Sequence, residues 1–165
     1  MSGSAMTRLL RIVFLAAGLA MAAPMTAGAA DAADPLMGSW QLDRGKSTFR
    51  PGPGPKGQLR IYKIADGVET LTARGISAEG KAMLVQYKAR YDGKDYPITG
   101  SLGGDRISLK RIDAYTTEST QKRDGKAAIV TTRVVSKDGK VLTVYSKGTT
   151  AEGETLDTIM VFDKH

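Results

Sequence analysis

The chain has 165 residues, with 24 Lys and Arg against 17 Asp and Glu, one His and no Cys, and a formal net charge of +7 at pH 7. The absence of cysteine excludes a disulfide framework, a thiolate metal site and lipid attachment through an N-terminal cysteine. The only histidine is His165, which excludes a histidine-based catalytic triad and a metal site built from several histidines.

The first 30 residues have the order of a secretory signal peptide. Arg8 and Arg11 form a positive n-region, residues 12–23 are apolar, and a small-residue cleavage site ends near Ala29 or Ala30. The apolar run is shorter than the roughly 20 residues that a membrane-spanning helix needs. We therefore predict a cleaved signal peptide, a periplasmic or secreted protein, and no membrane span after signal cleavage.

The predicted mature domain, residues 31–165, carries less positive charge than the full chain. Arg8 and Arg11 leave with the signal, so the net charge falls from +7 by 2 to +5. The basic residues are mostly single and interleaved with acids, which favours a solvated outer face over a nucleic-acid-binding surface. The charge pattern therefore does not predict nucleic acid as a partner. The predicted partner is a small hydrophobic or amphipathic ligand, and the oligomeric state stays open.

From Gly38 onward the sequence alternates short β-branched or aromatic runs with turn signals such as Asp66-Gly67 and Asp124-Gly125. Gly38 to Leu42 predicts a short first strand, and the Pro- and Gly-rich residues 48–57 predict an extended connector. The remaining predicted strands span residues 58–65, 67–76, 81–91, 95–99, 106–112, 114–123, 126–136, 140–148 and 154–163.

This pattern predicts an all-β fold, an antiparallel up-and-down meander of about 8 to 10 strands. Tight turns join consecutive strands as antiparallel neighbours, and closure into a barrel removes the exposed edges. Residue parity then predicts the inward faces. The predicted inward residues are Met83, Val85, Tyr87, Ala89 and Tyr91; Ile107, Leu109 and Arg111; Ala128, Val130, Thr132 and Val134; and Leu156, Thr158, Met160 and Phe162.

Gly38-Ser39-Trp40, followed by about nine short strands, resembles the start of calycin barrels, the superfamily of lipocalins and fatty-acid-binding proteins. The whole mature chain resembles small exported lipocalin-like proteins of bacteria, whose function is mostly unassigned, through residues 91–97 and 108–113. The resemblance implies a barrel that holds a small hydrophobic molecule, with Trp40 plugging its closed end.

The sequence departs from these families at three places. The final strand has no arginine to pack over Trp40, as lipocalins usually have. It reads Met160-Val161-Phe162 where fatty-acid-binding proteins carry Arg-x-Tyr for the ligand carboxylate. The Pro- and Gly-rich connector replaces the helical lid of the latter family, so its carboxylate site is not transferred to this chain.

Arg111 is the predicted polar anchor, because an unpaired guanidinium inside a barrel requires an anionic partner. The alternatives are that it pairs with Asp113 or lies in water at the barrel mouth. Further candidates are four tyrosines whose hydroxyls reach a ligand from an apolar wall or else belong to the core. They are Tyr87, Tyr91, Tyr115 and Tyr145.

The predicted function is an exported barrel that binds a hydrophobic or lipid-like molecule in its interior. The alternative is a packed interaction or structural module of the cell envelope without a small ligand. The sequence contains no G-x-S-x-G, and its acids fall mainly in turns, so we expect no enzymatic activity, no metal and no other cofactor. Carboxylates paired for hydrolysis by the fold stay possible, since their spacing is a tertiary property.

Overall fold

A computed structural model describes residues 33–165. The predicted signal peptide and its cleavage site lie outside the described residues. Within residues 33–165, no helix is long and apolar enough to cross a membrane.

Ten antiparallel strands form a closed barrel in which each strand pairs with its sequence neighbours and the last pairs with the first. The predicted all-β, up-and-down barrel is confirmed. The strands are β1 (Gly38–Thr48), β2 (Gly57–Ala65), β3 (Val68–Ile76), β4 (Ala82–Arg90), β5 (Tyr96–Thr99), β6 (Arg106–Arg111), β7 (Thr116–Arg123), β8 (Lys126–Val135), β9 (Val141–Thr149) and β10 (Thr155–Lys164).

Two of the hairpins show why the turn signals set the register. Asp66 and Gly67 between β2 and β3 have φ angles of 52° and 70°, and Asp124 and Gly125 between β7 and β8 have 49° and 72°. Positive φ at both central residues is the requirement of a two-residue hairpin turn whose twist matches that of the strands. These Asp-Gly pairs therefore fix the strand pairing on both sides of each turn.

The first strand is longer than predicted. β1 pairs with β10 through Asp43, and again at Thr48 after a shift of register. Ser47 stabilises this irregularity: its hydroxyl donates to the Asp43 carbonyl at 2.6 Å and accepts from the Val161 amide at 3.0 Å. Because of these two hydrogen bonds, β1 continues past the shift of register and ends at Thr48.

The predicted inward face of β8 is wrong. Val130 from the predicted set is 39% exposed. The residues that face the interior are Ile129, Thr131, Arg133 and Val135. Two causes are visible: the pairing of β7 with β8 shifts between Gln121 and Lys122, and Arg133 meets a buried carboxylate, Glu69, on β3. The predicted inward sets of β4 and β10 agree with the burial of Tyr87, Ala89, Thr158 and Phe162.

One end of the barrel is closed around Trp40, which is fully buried. Its indole Nε1 donates to the carbonyl of Leu36 at 2.8 Å, which ties the segment before β1 across this end. The ammonium of Lys164, at the end of β10, lies 4.1 Å from the centroid of the tryptophan rings. The last strand has no arginine, yet a lysine supplies a cation over Trp40.

The loop after β5 contains a glycine that the backbone requires. Gly100 has φ +70°, and a Cβ there would lie 1.8 Å from the carbonyl oxygen of Leu84. Gly93 has nearly the same φ, +72°, but a Cβ there would meet nothing within 4 Å. We expect Gly93→Ala to cost about 1–2 kcal/mol from backbone conformation alone, and Gly100→Ala to cost about 1 kcal/mol or more beyond that. Urea unfolding of the two variants checks the difference, and equal losses would contradict the close approach.

Candidate functional site

A cavity of about 270 Å³ lies inside the barrel, away from Trp40. At the open end it is bordered by the connector between β1 and β2 and by the loops after β5 and β9, represented by Phe49, Leu102 and Glu152. From there it reaches inward to Arg60 and Arg133. The connector predicted from the prolines therefore forms part of the cavity mouth.

The cavity wall is mainly apolar, with polar groups at a few positions. Representative apolar residues are Leu71, Ala73, Val85, Ile98, Ile107 and Met160. Representative polar residues are Gln58, Ser119, Gln121, Thr131 and Ser146. Thr131 and Ser146 satisfy one another, since their hydroxyl oxygens are 2.9 Å apart on neighbouring strands. An apolar wall with a few placed polar groups is typical of small-molecule sites.

A buried ion pair lies where the cavity ends. Arg133 Nη1 on β8 is 2.5 Å from Glu69 Oε1 on β3, and both side chains are almost completely buried. The same nitrogen donates to the Tyr87 hydroxyl oxygen at 2.8 Å. Tyr87 and Tyr91 in turn donate to the two carboxylate oxygens of Glu69. Three side chains from three strands, together with Tyr91 directly after β4, thus form one hydrogen-bonded cluster.

Burial and pairing act in opposite directions on Glu69. Burial raises the pKa of the Glu69 carboxyl, but the charge of Arg133 and the hydrogen bonds from Tyr87 and Tyr91 outweigh it, so the pKa falls below its ordinary value. Burial raises the pKa of both tyrosine hydroxyls, and the Glu69 charge adds to this effect. At neutral pH the cluster therefore contains a carboxylate, a guanidinium and two neutral phenols.

The hydrogen bonds of the cluster do not satisfy every buried polar atom. Among the described residues, Nε and Nη2 of Arg133 and Oγ1 of Thr117 have no hydrogen-bond partner. Thr117 on β7 is paired directly with Arg133 in the sheet register. Buried donors without a partner cost about 1–3 kcal/mol each, so this wall of the interior favours a bound acceptor or an ordered water.

A second arginine faces the interior. Arg60 on β2 donates from Nε to the side-chain oxygen of Gln58 at 2.8 Å and from Nη1 to the Tyr62 hydroxyl at 3.4 Å. Its guanidinium carbon lies 4.8 Å from the ring centroid of Phe162. No carboxylate within residues 33–165 forms an ion pair with Arg60. Arg60 is therefore a cavity-lining cation with neutral neighbours.

Three of the predicted site residues lie near one another. Tyr87 lines the cavity. Tyr91 belongs to the Glu69 cluster, and Arg111 lies over its ring at 4.4 Å. Arg111 is paired with Asp34, from the segment before β1, and not with Asp113 as the alternative proposed. The Arg111 guanidinium thus contacts both Asp34, in the segment that closes the barrel, and Tyr91, a member of the Glu69 cluster.

The other two predicted tyrosines lie apart from the cavity. Tyr115 is partly buried directly before β7, with Lys137 Nζ 4.7 Å from its ring centroid. Tyr145 is 42% exposed on β9 and lies opposite Ile159 of β10, which is also exposed. Their hydroxyls therefore do not converge with that of Tyr87.

Sequence reasoning missed Glu69, Arg133 and Arg60. On β2 the apolar residues Leu59 and Ile61 favoured the opposite face, so alternation alone gave no signal for an inward Arg60. Glu69 and Arg133 are 64 positions apart in the chain, and only the closed sheet brings them together. One signal for an inward charge was available in the sequence. A charged residue that alternates with apolar residues shares their strand face, as in Glu69-x-Leu71-x-Ala73.

No group of three or more His, Asp or Glu side chains in the described part of the chain is close enough together to hold a metal ion. The site consists instead of a cavity, a neutralised ion pair and one further guanidinium. Comparison with known proteins found no family model that matches this chain and no curated protein similar to it. The fold, a closed antiparallel ten-stranded barrel compatible with a calycin-like architecture, is what the structure establishes.

Proposed function

We propose that this protein is an exported small-molecule-binding barrel that holds a hydrophobic or lipid-like ligand in its interior. The observation that carries the proposal is the cavity of about 270 Å³, which has an apolar wall and polar groups at its inner end. Barrels of this kind are wide enough to hold one small ligand. The export part of the proposal is supported by the sequence order of residues 1–30.

The size of the cavity limits the ligand. Pockets for drug-sized molecules measure about 300–1,000 Å³, and the volume of about 270 Å³ lies just below that range. A compact molecule or a short chain is therefore favoured over a long one. The loops that carry Phe49 and Leu102 place apolar side chains at the mouth, beside the exposed Glu152 and Glu154.

Binding is favoured over catalysis by the state of the buried acid. Glu69 is the most buried carboxylate of the barrel, and it is held by Arg133 and two tyrosines. A carboxylate with a lowered pKa and three charged or hydroxyl partners is a poor general base near neutral pH. The cluster therefore supports a role in shaping and polarising the inner wall.

Native mass spectrometry tests the proposal, on protein purified from a periplasmic extract without organic solvent. We expect a discrete adduct of a few hundred daltons that is lost on denaturation. Ala73→Leu, which adds bulk at a buried lining position, should reduce the adduct, whereas Ala82→Leu at an exposed position of β4 should not. A bare mass in every preparation would contradict ligand binding and favour the packed interaction module.

A further inference from the structure

We infer that Arg60 determines ligand specificity and that the ligand is a small amphiphile with an anionic end group. The inference rests on the proposed function and adds to it the charge of the ligand and the residue that recognises it. Arg60 reaches the cavity from β2, and both of its hydrogen bonds go to neutral oxygens, those of Gln58 and Tyr62. A guanidinium presents five donors, so most of its hydrogen-bonding capacity is left for a ligand.

The two interior arginines differ in whether a carboxylate neutralises their charge. Arg133 and Glu69 form a buried pair, so together they contribute no net charge to the cavity. Arg60 has no such partner among residues 33–165 and leaves the inner part of the cavity with one uncompensated positive charge. Arg60 is partly buried, and a partly desolvated cation favours an anionic partner, because pairing offsets part of its desolvation.

Two acids also border the cavity, and they lie at its mouth. Glu152 and Glu154 are exposed on the loop between β9 and β10. Water and salt screen exposed charges over a distance of about 8–10 Å, so they oppose an anion at the inner end only weakly. The arrangement favours a ligand whose anionic group passes the mouth and whose apolar body remains against the wall near Leu71 and Met160.

The neighbours of Arg60 hold it in place for this role. Gln58 is buried and accepts from Nε, which orients the plane of the guanidinium. The Phe162 ring packs against the guanidinium, with its centroid 4.8 Å from the guanidinium carbon. A planar guanidinium fixed in this way is suited to a carboxylate or phosphate, which it binds through two parallel hydrogen bonds. Replacement by lysine keeps the charge but loses that geometry.

The test compares two probes of equal chain length, decanoate and decan-1-ol, by isothermal titration calorimetry at pH 7. We expect the wild-type protein to bind the carboxylate about 10- to 100-fold more tightly than the alcohol, the range for a hydrogen bond to a charged group. Arg60→Met should remove this preference and leave binding of the alcohol nearly unchanged. Arg60→Lys should keep an intermediate preference.

Arg74→Met is the matched control, because Arg74 lies on the adjacent strand β3 and its side chain is exposed. It changes the net charge by the same amount and should leave the preference intact. Equal binding of both probes by the wild-type protein, or an unchanged preference in Arg60→Met, would overturn the inference and leave the proposed function standing. Failure of both probes to bind would contradict the proposed function and the inference with it.

Discussion

Arg133→Met is expected to lower the free energy of unfolding by about 3–5 kcal/mol at pH 7, the usual cost of leaving one partner of a buried ion pair alone. Arg133 is the only cation in contact with the buried Glu69 carboxylate among the described residues. Its removal leaves a charge with two phenol donors and no neutralising group. Urea unfolding followed by circular dichroism measures the loss, and Arg74→Met, at an exposed position, should change stability by less than about 0.5 kcal/mol.

The pH dependence of this variant should be opposite to that of the wild-type protein. In the wild type the pKa of Glu69 is below its ordinary value, so its contribution to stability is complete above about pH 4.3 and is lost as the pH falls through the folded-state pKa. Without Arg133, the two phenol donors still lower the pKa of Glu69, but burial has the largest effect on it. We therefore expect the pKa of Glu69 in the variant to lie above its value in the unfolded chain. The deficit of Arg133→Met should therefore narrow as the pH falls from 7 to 4.5, because protonation of Glu69 in the variant removes the unpaired charge.

A double variant separates the charge from the packing. Adding Glu69→Gln to Arg133→Met removes both charges, and we expect it to recover part of the lost stability. A double variant as unstable as the sum of the two single variants would contradict the coupling. A deficit in Arg133→Met that is the same at pH 7 and at pH 4.5 would contradict the assignment to an unpaired carboxylate.

Trp40→Ala is the second large effect, with an expected loss of about 3–5 kcal/mol for a fully buried tryptophan. Trp40 fills the closed end and donates a hydrogen bond to the Leu36 carbonyl, and the Lys164 ammonium packs over its ring face. Its removal opens a cavity, leaves a buried carbonyl without its donor, and frees the segment that contains Asp34 and Leu36. Since Trp40 is the only tryptophan, unfolding of this variant has to be followed by circular dichroism.

Trp40→Phe provides the comparison, because it keeps an aromatic ring and loses the indole donor. We expect a smaller loss than for alanine, with most of the packing retained. Lys164→Met should cost on the order of 0.5–1 kcal/mol, as for a partly exposed cation over an aromatic ring. Equal losses in Trp40→Ala and Trp40→Phe would contradict the view that volume at the closed end dominates.

Much of the fold follows from local signals in the sequence. Asp66-Gly67 and Asp124-Gly125 specify turns through their own backbone preferences, and the strands between such turns have to pair as neighbours. The face of β4 followed from alternation, because Tyr87 and Ala89 are apolar and their neighbours Lys88 and Arg90 are charged. Closure of the sheet into a barrel was predicted because a closed sheet has no free strand edges.

The inner end of the cavity depends on contacts that no local pattern encodes. On β8 both faces carry apolar residues, so parity wrongly favoured Val130 over Ile129 as the inward residue. The partner that favours an inward Arg133 lies on β3. On β2 the more apolar face is the outer one, which hides Arg60. Arg111, which shares the parity of Ile107 and Leu109, lies beyond the end of the cavity, where Asp34 pairs with it.

The most direct test of the account is a crystal structure of the protein purified from cells without organic solvent. We predict continuous density for one small molecule in the cavity, with its polar end within hydrogen-bonding distance of the Arg60 guanidinium and its apolar part against Leu71 and Met160. A cavity that holds only ordered water would contradict ligand binding, and an interior filled by neighbouring side chains would identify the barrel as a packed module.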